Sequence, residues 1–398
     1  MKNTTYSLLA LLGLSACGTA APEVNPSHNI EAHNHLCIAT NRHSLGTGKI
    51  SVVSSISDVY EEEEKYKVTY GKDFSGLLKV IISNADGSKE CTKYDARSPI
   101  PSPDGAAVLY TGEVYNDYTV PGNVFLMTPQ GETLDQTTLF KDPLFRPSWK
   151  EDNSAIIYAA WENSKGIKID VAEIYHYDFN TKEKRKLTSL GRISTDPMWC
   201  ADKIIFGSSF KMPYSDHIYR MNHDGSNVEL IGYGEGPQCS PDRKKIAFFD
   251  YQGIWIMNLD GSEKTNLSKA CLPLSFSCKL PEGINSSYED HSEPRWSPDG
   301  KYITYVAETG QKEGAAAMFR LEMIETFDLH QKLVLTQNDV SSRYVSWSPE
   351  GKSFAYLESD DPTEPGRIKI MNIDTLTSTL FRDVKMPEHE APYLHWSP

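Results

Sequence analysis

The chain has 398 residues, 24% of them charged, and a formal net charge of -14. That acidic balance argues against nucleic acid as a partner and against direct docking on anionic lipid, both of which reward positive charge. The length is ample for a large core, and no stretch beyond the N-terminus approaches transmembrane length.

Lys2 precedes an apolar run from Tyr6 to Leu14, and the next residues are Ser15-Ala16-Cys17-Gly18. The run is too short to span a bilayer and reads as the apolar part of a signal peptide, residues 1–16. Leu-Ser-Ala-Cys resembles the bacterial lipobox. That resemblance implies that Cys17 becomes the diacylated first residue of a lipoprotein. Acyl carbons contribute about 0.8 kcal/mol per buried CH₂, so more than one chain makes a firm anchor. Gly18 is not the Asp that retains such proteins at the inner membrane, which implies the outer membrane, facing the periplasm. The competing reading is an ordinary signal peptide with Cys17 incidental. Residues 17–47 read as the lipidated N-terminus and a flexible tether, polar and carrying Pro22 and Pro26. His28, His33 and His35 lie there without thiolates or carboxylates at fixed spacing, so a solvated linker is favoured over a metal site.

Residues 48–398 read as one repeat domain. Strand-like runs extend over Lys49 to Ser55, Lys65 to Tyr70, Leu77 to Asn84 and Glu90 to Tyr94. Then a motif recurs. Its clearest copy is Pro294-Arg295-Trp296-Ser297-Pro298-Asp299-Gly300-Lys301, a strand end and a tight turn, followed by the β-branched and aromatic run Tyr302 to Val306. Degraded copies place the same Trp position at 101, 149, 199, 239, 347 and 396. A period near 50 residues with turn-and-strand content marks a propeller or solenoid array.

At these residues the chain resembles the TolB-type propellers, whose WD40-like (PD40) repeat carries Trp-Ser-Pro-Asp-Gly-Lys and then a Met-Asn-x-Asp-Gly turn. The second half is present as Met221-Asn222-His223-Asp224-Gly225 and Met257-Asn258-Leu259-Asp260-Gly261. Weaker copies begin at Met127 and Met371. The resemblance implies an all-β fold, a β-propeller of four-stranded blades. The last copy stops after one strand, ending in Trp396-Ser397-Pro398, and the N-terminal runs lack such a strand. Both ends are therefore expected to share one blade, giving seven, with eight or six as the alternatives. TolB proteins carry an α/β domain ahead of the propeller for which this chain has no room, so their role does not transfer whole.

Behind an export signal the cysteines permit disulfides. Cys271 and Cys278 flank a short loop, and Cys200 and Cys239 fall at neighbouring motif positions on consecutive repeats. Cys37 and Cys91 remain unassigned, and free buried thiols are the competing reading. Two stretches read as inserts. One is Lys269 to Tyr288. The other is Gly310 to Gln331, read as a lengthened loop.

Gly-x-Ser-x-Gly, P-loop and His-Glu-x-x-His patterns are absent. His389-Glu390 precedes Pro392, which stops any helix that would align a second ligand. The first strand of each blade lines a propeller's channel. Arg146, Asp196, Glu235, Asp290, His291, Glu293, Arg295, Arg343 and His395 lie on or beside those strands. Such a ring suits a cation such as calcium, a peptide terminus or a charged sugar. The competing reading is that these groups satisfy one another and water. Repeated turn Asp residues are turn chemistry, and the Trp residues are packing between blades.

The expectation is a non-catalytic, lipid-anchored, monomeric propeller without a cofactor. Its partner would be a protein or peptide of the cell envelope. The alternative is an envelope lyase or hydrolase acting on an acidic oligosaccharide in the channel. A prolyl-oligopeptidase-like enzyme is set aside, because no peptidase domain follows the repeats.

Overall fold

The computed structural model describes residues 35–38, 49–55, 78–86, 88, 90–94, 96–112, 122–130, 132, 134, 140–142, 144–162, 171–209, 217–250, 253–267, 294–311, 317–326, 332–336, 341–360, 366–384 and 394–398. Among them there are strands and turns and no helix. The strands fall into units that follow the sequence repeat. The first unit joins the two ends of the chain. His395–Ser397, Lys49–Ser55, Leu78–Asn84 and Glu90–Tyr94 lie side by side, with His35–Ile38 outermost. Lys49 pairs with Ser397 and Ser51 with His395. The shared blade expected from the strand count is therefore present. The outermost strand lies inside the segment read as tether, and Lys65 to Tyr70 falls outside the described residues.

Six further units follow. The second holds Ala96–Pro101, Val108–Gly112, Gly122–Met127 and Phe140–Asp142. The third holds Leu144–Trp149, Ala155–Glu162, Val171–Asp178 and Lys184–Lys186. The fourth holds Ile193–Cys200, Lys203–Ser209, His217–Asn222 and Glu229–Tyr233. A parallel bridge between Ala172 and Ile193 joins these last two into one sheet. The fifth holds Glu235–Cys239, Lys245–Asp250, Gly253–Asn258 and Thr265–Asn266. The sixth holds Arg295–Trp296, Tyr302–Gln311, Ala317–Glu325 and Lys332–Val334, and the seventh Ser341–Trp347, Ser353–Ser359, Gly366–Asn372 and Thr377–Val384.

The second strands are buried along their whole length at Val108–Gly112 and Ser353–Ser359. Strands covered on both faces have no solvent side, so their sequences need not alternate. The core sits in the seams between units. Val80 and Ile82 pack with Val108 and Met127, and Leu321 and Met323 with Phe354 and Tyr356. Ile368 and Ile370 of the seventh unit pack with Ile50 and Ile81 of the first. Among the described residues, the stretch read as an inserted loop is strand as far as Glu325. Tyr302–Gln311 and Ala317–Glu325 pair out to Gln311 opposite Ala317. Met318, Leu321, Met323 and Ile324 are buried there, and that apolar face is what a loop assignment overlooked.

The tryptophans do more than pack. Trp149 Nε1 donates to Ile100 O at 3.1 Å, Trp199 Nε1 to Ser148 O at 3.2 Å and Trp296 Nε1 to Gln238 O at 3.2 Å. Each acceptor is the residue before the marker position of the preceding unit. Trp347 reaches the same place through a relay: its Nε1 donates to Thr304 Oγ1 at 3.2 Å, and that hydroxyl donates to Arg295 O at 3.3 Å. The fifth unit has Cys239 where the indole would be, and there a disulfide to Cys200 joins it to the fourth. Cys91 is also disulfide-bonded, and Cys37 is its register partner on the outermost strand. Cys271 and Cys278 lie outside the described residues.

The turns repeat down to single hydrogen bonds. Ser102, Ser240 and Ser297 each donate from Oγ to the Asp two residues on, at 2.6 Å. Each of those Asp side chains also accepts a backbone N–H two residues further on. In the second kind of turn Asn84, Asn222 and Asn258 donate to Ser88, Ser226 and Ser262, which in turn donate to Asp86, Asp224 and Asp260. Turn chemistry accounts for the repeated acid.

These bonds hold the turn carboxyls below their ordinary value of 3.8. The Ser hydroxyl is the largest cause for Asp86, Asp104, Asp224, Asp242 and Asp260. At Asp299 partial burial works the other way, and the hydrogen bonds from Ser297 and Lys301 outweigh it. A carboxyl depressed in the folded state stabilises above its unfolded value, and that stability is lost as pH falls through the folded value. The urea midpoint is therefore expected to drop progressively as pH falls from about 5 to 2. Asp242→Asn and Asp260→Asn should each flatten that fall. A midpoint indifferent to pH across this window would sink the assignment.

Candidate functional site

The first strands carry a recurrent bulge. Register breaks between Arg97 and Ile100, Thr195 and Met198, Glu235 and Gln238, and Arg343 and Ser346. In each, the residue three before the marker is left-handed: Ser98 at φ 51°, Asp196 at 53°, Gly236 at 55° and Tyr344 at 58°. Bulges of this kind re-aim side chains next to functional surfaces.

The expected channel groups are tied into the fold. Asp196 Oδ2 accepts from Thr195 Oγ1 at 2.8 Å. Arg295 Nη1 donates to Gln238 Oε1 of the fifth unit at 3.3 Å. Arg343 is 8% exposed, with its guanidinium 5.0 Å from the Phe319 ring centre and 5.9 Å from that of Tyr344. Glu235 and His395 also have interaction partners. Two hydroxyls nearby in sequence, Ser341 and Ser342 Oγ, are buried without a protein partner. Asp290, His291 and Glu293 lie outside the described residues, as does the side chain of Arg146. Among the described residues no group of three or more His, Cys, Asp or Glu is arranged to hold a metal ion.

A different site emerges on the face of the turns. A cavity of about 360 Å³ is walled by Lys150, Glu151 and Asp152 of the third unit, Trp199, Ala201 and His223 of the fourth, and Arg243 of the fifth. Lys150 Nζ donates to Asp152 Oδ2 at 2.8 Å and Ser154 Oγ at 3.3 Å. Arg243 Nη1 donates to Trp199 O at 2.9 Å, and its Nη2 to Glu151 Oε2 at 3.3 Å. The two cations are each 37% exposed, whereas Asp152 is 56% and Glu151 83% exposed. Each cation is thus less exposed than the carboxylate it pairs with. The His223 ring stands edge-on to Trp199 at 4.8 Å, and its Nε2 is buried with no hydrogen-bond partner. His176 meets the same indole edge-on at 6.0 Å; burial, and then Arg185, hold its imidazolium form below the ordinary range.

Sequence reasoning missed this cavity, because its walls are spread over about a hundred positions in three repeats. The signal was available in the repeat itself, at positions where a basic residue replaces the usual one.

No family model matches the chain. It is 25% identical over 175 residues to the protein called "Uncharacterized peptidase YuxL" of Bacillus subtilis (strain 168), a match covering 43% of this chain and 22% of that one. The match thus spans less than a quarter of that relative's length. Among solved structures, an oligogalacturonate lyase in complex with manganese superposes with a TM-score of 0.56 at 10% identity, over 85% of this chain and 98% of that one. The β-propeller domain of the Trilobed protease from Pyrococcus furiosus gives 0.53 at 11%, over 88% and 99%. TolB from Acinetobacter baumannii gives 0.47 at 15%, over 88% and 67%. At such identities the likeness extends to the fold, and the chain is an all-β protein with a β-propeller fold. Propellers host many unrelated activities, so the fold does not choose among them.

Proposed function

We propose that this chain is a TolB-like propeller of seven blades that binds a protein or peptide partner in the bacterial cell envelope and does no chemistry. Cys17 anchors it by lipid to the outer membrane, facing the periplasm. No cofactor enters this reading. The observation that carries it is the engagement of the described charges on the first strands. A lyase or hydrolase of the channel needs an acid or base poised to exchange a proton with substrate. Asp196, Arg295 and Arg343 are instead held by Thr195, Gln238 and the Phe319 and Tyr344 rings. Groups fixed in this way suit a rigid recognition surface.

The test is a crosslinking pull-down from envelope membranes with the full chain, set beside a Cys17→Ser form. Reproducible recovery of one or two envelope proteins by the lipidated form is the expected result. Turnover of an acidic oligosaccharide by purified protein, lost on Glu293→Gln or His291→Ala, would replace this reading with the enzyme reading.

A further inference from the structure

The internal repeat gives each turn position a usual occupant, and the cavity walls depart from it three times. The position after the marker is serine at Ser102, Ser240, Ser297 and Ser348, but Lys150 in the third unit. Four places after the marker the second, sixth and seventh units have Gly105, Gly300 and Gly351, at φ between 68° and 73°. The fifth unit has Arg243 there, at φ 61°. The third unit has Asn153 in the same place, at φ 59°, so two units carry a side chain where those three have glycine. The third departure is in the Asn-x-Asp turn. Its middle position is apolar at Ala85, Pro129, Leu259 and Ile373, and Phe179 fills it in the third unit, stacked on Trp149 at 4.9 Å. The fourth unit has His223 in that place, against Trp199, with Nε2 buried and unpartnered.

All three replacements are basic or nitrogen-bearing, come from different units, and wall one cavity. The other units make the same turns without them. The His223 Nε2 is one of five buried side-chain polar atoms without a protein partner among the described residues. We propose that this cavity is a receptor for the terminal carboxylate of a peptide, an inference that rests on the peptide-partner reading above. The carboxylate takes hydrogen bonds from the Arg243 guanidinium, with the Lys150 ammonium beside it and the His223 ring at the wall. Paired donors on a carboxylate are strong and directional. It displaces Glu151, the most exposed of the wall carboxylates, from Arg243. The Trp199 ring offers an apolar contact to the residue next to the terminus.

Restoring the repeat tests the proposal without threatening the fold. Lys150→Ser, Arg243→Gly and His223→Leu each install the residue that other units carry. The full chain is titrated with acetylated tripeptides ending in a free carboxylate, with the same peptides amidated, and with digalacturonate. Free-carboxylate peptides should bind, amidation should weaken binding at least about tenfold, and each substitution should do the same. The thermal midpoint of each variant should hold or rise. Equal binding of amide and acid overturns the proposal, as does undiminished binding by the triple variant. Preference for digalacturonate assigns the cavity to a sugar acid and overturns the peptide assignment. If the triple variant still recovers the envelope partner in the pull-down, the partner reading stands and this site is not its seat.

Discussion

Deleting residues 394–398 is expected to remove cooperative folding of the whole chain. The segment is small, but its contacts close the first unit. His395–Ser397 supplies that sheet's inner strand, paired to Lys49–Ser51. Leu394 and Trp396 are each 7% exposed and pack with Ile50, Ile81, Ile368 and Ile370. The Trp396 N–H donates to Ser346 Oγ of the seventh unit at 2.8 Å. Pro398 lies against Gly105 of the second unit so closely that a Cβ there would collide with its carbonyl oxygen. One short strand therefore touches three units. Trp396→Ala alone should cost about 3–5 kcal/mol. A domain holds only about 5–15 kcal/mol in total, so losing Leu394, the strand pairing and the seam as well should exhaust it. Urea unfolding followed by tryptophan fluorescence reads this directly. A truncated chain that still unfolds in one sharp transition at an unchanged midpoint would show that the first unit does not need this strand.

Replacing the Cys200–Cys239 pair by serines should be the next most damaging change. The disulfide stands where the other seams have an indole donating to a carbonyl. Cys239 has no indole to donate, and the covalent link joins the fourth and fifth units beside the Cys239 N–H bond to Met198 Sδ at 2.9 Å and the Arg243 bond to Trp199 O. The 39-residue separation gives about 4 kcal/mol in the chain-entropy account, at the upper end of common values. The pair also stands beside Trp199 and Ala201, two walls of the cavity. The double serine variant should unfold at clearly lower urea than the parent, and a reductant should bring the parent down to match it. Equal midpoints with and without reductant would mean that the seam packing of Ile205, Ile246 and Phe248 is sufficient.

The repeat was readable because its causes are local. A Ser-Pro-Asp-Gly turn needs its own serine, its own aspartate and a residue that accepts positive φ, all within five positions. The cysteine pair was readable for a related reason: neighbouring places in successive repeats come together once the units are stacked. The stretch from Gly310 to Gln331 was misread because glycine and alanine resemble a loop until a facing strand gives them register. Of the expected channel charges, Arg146, Asp196, Glu235, Arg295, Arg343 and His395 lie on first strands, and Asp290, His291 and Glu293 lie outside the described residues. Sequence could not say that Thr195, Gln238 and Phe319 would occupy them, since two of these three partners come from other strands.

By itself the sequence determined the class of fold, the turn chemistry and the sharing of one sheet between the chain's two ends. Each follows from residue types at short, repeated spacing, where local sterics and hydrogen bonding decide the outcome. Tertiary structure alone decided which carbonyl each indole meets, that Thr304 relays one of those bonds, and that Lys150, His223 and Arg243 face a common cavity. Those three residues span 93 sequence positions between first and last, and only the packing of three units brings their side chains within reach of one ligand.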